Sequence, residues 1–158
     1  MPAYVVSIGN LVAGGTGKTP FAIWLAQFYR GMERRVAILS RGYGGRRQTT
    51  SQVSFVDGTS PAALEFGDEP ALMAQTMPDI PVWTGRKRSS SGLAAIERGD
   101  AELLILDDGF QHLALHRDLD IVLLDSANPF GNGRLIPTTS VEQYAATLAS
   151  WMGVGASD

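Results

Sequence analysis

Short, unbroken apolar runs alternate along this chain with stretches whose apolar residues recur every three or four positions. Tyr4-Val5-Val6-Ser7-Ile8 is β-branched and aromatic and reads as a buried strand. A glycine-rich turn, Gly14 to Gly17, follows. From Lys18 to about Tyr29, Phe21, Trp24, Leu25 and Phe28 share one face of a predicted helix, with Gly31 as its expected stop. Arg35 to Ser40 reads as a second strand, running into the basic, glycine-rich loop Arg41 to Arg47. Val53 to Val56 is expected to be a short strand. A helix is expected to open at Asp68 or Glu69, to accept Pro70 in its first turn, and to run through Met77 until Pro78 closes it. Pro81 to Thr84 reads as an edge strand and Ser89 to Glu97 as a short helix.

Two stronger runs come next. Leu103 to Leu106 ends in Asp107-Asp108-Gly109, and Ile121 to Leu124 ends in Asp125. Both are continuous rather than alternating, which predicts central strands covered on both faces. Strands alternating with helices imply the α/β class with a mostly parallel sheet. Beyond Pro137 the pattern weakens: Tyr144, Leu148 and Trp151 keep helical spacing, and the last residues, Gly153 to Asp158, have the composition of a frayed end.

Composition narrows the function classes. The 158 residues carry 13 Lys+Arg and 16 Asp+Glu, a net charge of −3, so a protein that grips nucleic acid chiefly by charge is not expected. With 44% hydrophobic and 18% charged residues the chain has material for one core, and wholesale disorder is excluded. No cysteine is present, which removes disulfides, thiolate zinc sites and cysteine nucleophiles. No apolar run reaches the ~18 residues of a membrane helix, and the start MPAYVVSIGN lacks the features of a signal peptide.

The sharpest motif is Gly14-Gly15-Thr16-Gly17-Lys18-Thr19, between a strand and a helix, the setting of a P-loop. Glycines let successive N–H groups curl into an anion nest, and the helix adds its positive end. Lys18 is then a mobile charge for β- and γ-phosphates, and the Thr19 hydroxyl is a ligand for Mg²⁺. Val12 stands where the general pattern has its first glycine, so the loop is of the GGxGK[ST] subtype. Ala13 stands where the partition-ATPase branch carries a lysine.

Asp107 and Asp108, at a strand's C-terminal end, occupy a Walker B position suited to Mg²⁺. Asp125 has the same placement, with a simple loop cap as the alternative. Gln111 and His112 are candidates for lining the cleft, while His116 reads as structural or solvent-facing. Gly67-Asp68-Glu69-Pro70 is a third acidic cluster, either a helix-dipole complement or a carboxylate for an acceptor hydroxyl. Arg41, Arg46, Arg47, Arg86, Lys87 and Arg88 form two basic loops, either solvated surface or phosphate recognition.

Taken in order, SIGNLVAGGTGKTP, LSRGYGG, GDEP, GRKR, ILDDGFQH, RDLDIVLLD and GNGRLIP resemble the tetraacyldisaccharide 4'-kinases of lipid A biosynthesis over about residues 4–137. The resemblance implies a P-loop NTPase-like, three-layer α/β sandwich. It implies transfer of the γ-phosphate of ATP to the 4'-hydroxyl of a lipid-linked glucosamine disaccharide 1-phosphate, at the cytoplasmic face of the Gram-negative inner membrane. By that resemblance Gly14, Gly15, Thr16, Gly17, Lys18 and Thr19 would cradle the ATP phosphates. Asp107 and Asp108 would be the Walker B pair, holding Mg²⁺ with Thr19. Asp68 would be the base or orienting carboxylate with Glu69 beside it, and Gln111 and His112 would line the Mg²⁺ and phosphate region.

Family members begin with a membrane-anchoring helix and continue into a C-terminal lobe that supplies a histidine partner for the catalytic Asp. This chain starts at its first strand, and Thr138 to Tyr144 departs from the proline-rich stretch expected after GNGRLIP, so Glu142 takes no family role. The expectation is therefore a kinase N-terminal lobe over residues 1–137 and a divergent tail over 138–158, a truncated or frameshifted product of impaired activity. The rival expectations are a partition- or metallochaperone-type ATPase and a nucleotide-binding remnant without turnover.

Overall fold

Parallel pairing of buried apolar strands organises the computed structural model, which describes residues 3–10, 17–47, 49–53, 62–110 and 115–124. Its elements are β1 (Tyr4–Asn10), α1 (Lys18–Gly31), β2 (Val36–Ser40), β3 (Ser51–Gln52), α2 (Ala62–Phe66), α3 (Asp68–Thr76), β4 (Val82–Thr84), α4 (Arg88–Glu97), β5 (Leu103–Leu106) and β6 (Leu119–Leu123). All of them lie within one compact unit, Met1–Leu123. The tail expected over 138–158 lies outside the described residues.

The sheet has six strands in the order β3-β4-β2-β5-β1-β6. Every neighbouring pair is parallel except β3 with β4. Successive side chains of a strand face opposite sides, so a strand buried on both needs an unbroken apolar run. Val6, Ile8, Ile38 and Ile105 pack on one face with α1, α2 and α3, around Leu25, Phe66 and Met73. Val5, Leu39, Leu104 and Leu106 pack on the other with Ala95 of α4. Helices on both faces of a mostly parallel sheet make the three-layer α/β sandwich.

Two strand expectations are corrected. Pro81 to Thr84 is not at the edge, because β3 adds antiparallel beyond β4 and the Val53 amide donates to Val82 O at 2.8 Å. The antiparallel strand is Ser51–Gln52; the strand expected over Val53 to Val56 falls mostly on residues 54–61, which lie outside the described residues. The run Ile121 to Leu124 supplies most of β6, the last strand of the sheet among the described residues rather than a central one; Ile121 to Leu123 are half-buried and Leu124 is exposed. Apolarity alone does not distinguish a central strand from one at the end of the sheet. Among the described residues no helix is long and apolar enough to cross a membrane.

The loop Arg41 to Arg47 is pinned to the junction of α2 and α3. The Arg46 and Arg47 amides donate to the Leu64 and Glu65 carbonyls at 3.0 and 2.8 Å. Gly67 has φ 96° and ψ 157°, a region essentially open to glycine alone, and a Cβ there would run into the Tyr43 carbonyl. The Gly67→Ala variant is expected to lose roughly 3 kcal/mol, on the order of 10 °C in melting temperature. Gly31→Ala is the control, since nothing lies within 4 Å of a Cβ there. Equal melting temperatures for the two variants would refute the constraint.

Candidate functional site

Because β1, β2, β4 and β5 run parallel, their C-terminal ends meet at one edge of the sheet, and the chemistry collects there. Gly17 is the left-handed N-cap of α1, with φ 78°, and the Phe21 amide closes the first turn on its carbonyl at 3.0 Å. Lys18 and Thr19 therefore sit in the first helical turn. Residues 11–16, with Gly14, Gly15 and Thr16, lie outside the described residues, as do Gln111, His112 and Asp125.

The Lys18 ammonium donates to Asn10 Oδ1 at 3.0 Å and stands 3.8 Å from Asp108 Oδ1. It thus bridges the end of β1 and the acidic turn after β5. Asn10 was not singled out in the sequence; its signal is its place as the last residue of the strand entering the loop. On the other side of the same cleft, of about 500 Å³, stand Asp68 and Glu69 in the first turn of α3, with Arg41 and Tyr43. The structure thus brings Lys18, Asp68, Asp107 and Asp108, expected from three separate motifs, around one space.

The two acids after β5 differ in environment. Asp107 is 2% exposed, and its Oδ1 has no hydrogen-bond partner among the described residues. Burial pushes its carboxyl up to about 7, with Glu69 and Asp108 adding to the rise while Arg88 and Lys18 oppose it. The Asp108 side chain is open to solvent, on a backbone with φ 50°. The turn is tied to the sheet on both sides: the Asp107 amide donates to Leu39 O at 3.0 Å and the Gly109 amide to Ile8 O at 2.9 Å. Against β1, Gly9 leaves the space that the Phe110 side chain occupies. An inward, unpartnered carboxylate oxygen beside a second carboxylate is a donor set of hard oxygens that fits Mg²⁺. Thr19 follows Lys18 in the first turn of α1.

The basic loops divide into different roles. Arg47 pairs with Glu65 at 3.0 Å and lies over the Phe66 ring, so it braces the loop. Arg41 lines the cleft, and with Arg86 it also lines a smaller neighbouring pocket. Arg88 is neither solvated surface nor free for a ligand on all sides: it is buried at 4% exposure. His116 is solvent-facing, 3.5 Å from Asp118.

The family model for tetraacyldisaccharide-1-P 4'-kinase matches residues 1–150. The chain belongs to that family. A tetraacyldisaccharide 4'-kinase of Syntrophobacter fumaroxidans is 54% identical over 149 residues, covering 94% of this chain and 39% of that protein. One from Syntrophus aciditrophicus is 52% identical, covering 87% and 37%. Among solved structures, LpxK from Aquifex aeolicus in complex with ATP matches with a TM-score of 0.71 at 45% identity, over 80% of this chain and 40% of that one. The chain thus spans about two fifths of the length of the family members it matches. The family's P-loop kinase fold and the three-layer sandwich described above agree.

Proposed function

We propose that this chain is the nucleotide-binding lobe of a kinase that transfers the γ-phosphate of ATP to the 4'-hydroxyl of a tetraacyldisaccharide 1-phosphate. The observation that carries this reading is Lys18, held between Asn10 and Asp108 and facing Asp68 and Glu69 across one cleft. In this reading Gly14, Gly15, Thr16 and Gly17 turn their amides to the triphosphate, and Lys18 lies against its β- and γ-oxygens. Thr19, Asp107 and Asp108 would hold Mg²⁺, which when bound neutralises charge on the β- and γ-phosphates. Gln111 and His112 would add to the polar lining, as the family resemblance implies.

Asp68 orients the acceptor hydroxyl and accepts its proton as the sugar oxygen bonds to the γ-phosphorus. The bond from the γ-phosphorus to the bridging oxygen breaks, and ADP leaves with that oxygen. Asp68 sits at the helix start of α3, where Gly67 and the loop beneath it fix the backbone. The acceptor is a lipid, so the encounter belongs at a membrane surface, by the family resemblance the cytoplasmic face of the inner membrane.

The test is a chimera in which this chain replaces the 149 matching residues of the Syntrophobacter relative, supplied with acceptor lipid and γ-labelled ATP. Label is expected on the lipid. Asp68→Asn in that chimera is expected to slow transfer by roughly 10²–10⁴-fold while ATP affinity stays unchanged. Label ending only in free phosphate would replace the kinase reading with an ATPase, and bound ATP without any label moving would leave a remnant that only holds nucleotide.

A further inference from the structure

Arg88 ends the basic run Arg86-Lys87-Arg88 and opens α4. Its two neighbours are exposed and it alone of the three is buried. A buried guanidinium is costly unless its donors are used. Here Nη2 donates to the Asp107 carbonyl at 3.1 Å and to the Asp108 carbonyl at 3.4 Å. These are the backbone carbonyls of the two acids at the centre of the cleft. The amides of the same turn are taken by β2 and β1, through Leu39 and Ile8. The turn is thus gripped through its amides by the sheet and through its carbonyls by Arg88. The grip is needed because Asp108 has φ 50°, a left-handed backbone that residues with a Cβ rarely adopt. The start of α4 is itself fixed, since the Ser91 hydroxyl donates to the Thr84 carbonyl at 3.3 Å.

We propose that Arg88 is a positioning residue, which clamps the Asp107–Asp108 turn so that both carboxylates stay aimed at the cation and phosphate positions of the cleft. This rests on the nucleotide-site reading above, and it assigns a task to a residue that the sequence left open between solvated surface and phosphate recognition. Arg88 acts through the turn, so its loss should be felt by the cation-dependent part of binding and not by the phosphate loop itself. Lysine can reach one carbonyl with a single ammonium but lacks the planar fork, so it should substitute only in part.

The experiment measures ATP dissociation constants of the purified chain in Mg²⁺ and in EDTA, for wild type, Arg88→Met and Arg88→Lys. Arg88→Met is expected to lose roughly 10–100-fold of the gain in affinity that Mg²⁺ confers, the usual scale for groups that orient metal ligands. Its affinity in EDTA should match wild type, and Arg88→Lys should recover part of the gain. A full Mg²⁺ gain in Arg88→Met, or equal loss in both conditions, overturns the proposal. Should Arg88→Met not fold, ¹⁵N spectra of wild-type arginine side chains decide instead. A clamped Arg88 shows separate, slowly interconverting Nη signals, and one averaged signal overturns the proposal. A wild-type chain that binds no ATP refutes the functional reading instead, and the same spectra then still decide on Arg88.

Discussion

The Lys18→Ala variant is expected to bind ATP roughly a hundredfold more weakly than wild type, the scale of losing two charge-assisted hydrogen bonds. In the proposed function Lys18 is the cation that meets the phosphates, and it stands in the first turn of α1. Its ammonium is kept in place by Asn10 at 3.0 Å and Asp108 at 3.8 Å, not by a buried partner. Removing it leaves those two groups free to take water, because the Asp108 side chain is already 64% exposed. Folding stability should therefore change little, as expected for a cation paired near the surface. Calorimetric titration with ATP, beside a thermal melt, checks both halves. Undiminished affinity in a folded Lys18→Ala chain would remove the physical basis of the site. Lys18→Arg should not restore binding fully, since a planar fork is not equivalent to a compact ammonium at a crowded phosphate.

The second large effect concerns pH. Asp107 has a folded-state carboxyl pushed up to about 7, against 3.8 as its ordinary value, chiefly by burial. A raised carboxyl means that the folded state holds this proton when the unfolded state has already released it. Its contribution to stability is therefore greatest below about pH 4 and is lost as pH rises towards 7, after which it is constant. The shift corresponds to roughly 4 kcal/mol across that window. Urea unfolding in EDTA from pH 4 to 8 is the measurement, with Asp107→Asn as reference. Other groups titrate in both proteins, so the difference between them isolates Asp107. The Asn variant should gain on wild type as pH rises, and a constant difference would show that Asp107 is ionised in the fold throughout. The same burial that strains the ionised form makes the carboxylate receptive to a cation, which repays its lost hydration.

Much of the architecture was readable as pattern. Leu103 to Leu106 is apolar throughout, and Val5, Val6 and Ile8 supply apolar side chains to both faces of β1; each is a strand packed on both faces. The helix from Lys18 and the helix from Asp68 begin where the glycines and acids place them. Less was readable where local pattern is silent. The helix Ala62–Phe66 is five residues long, too short for a helical period to show in the sequence, and it packs Phe66 into the core. The pairing of Ser51–Gln52 with β4 needs only two residues in register, too few to leave a period. Identical-looking basic residues were separated by their surroundings: Arg47 braces Glu65 at the surface, Arg41 lines the cleft, and Arg88 lies beneath the acidic turn.

What the amino-acid order by itself determined was the class of fold, the family, and the set of side chains proposed here for phosphate chemistry. Those properties are short-range: an apolar run, a glycine before a lysine, two acids closing a strand. Only the tertiary structure decided which of these groups meet, which of two adjacent aspartates is buried, and which arginine in a charged run is withdrawn from water. Burial and proximity come from residues far apart in sequence. Asp107 is raised by Glu69 and opposed by Lys18, and no local window contains all three.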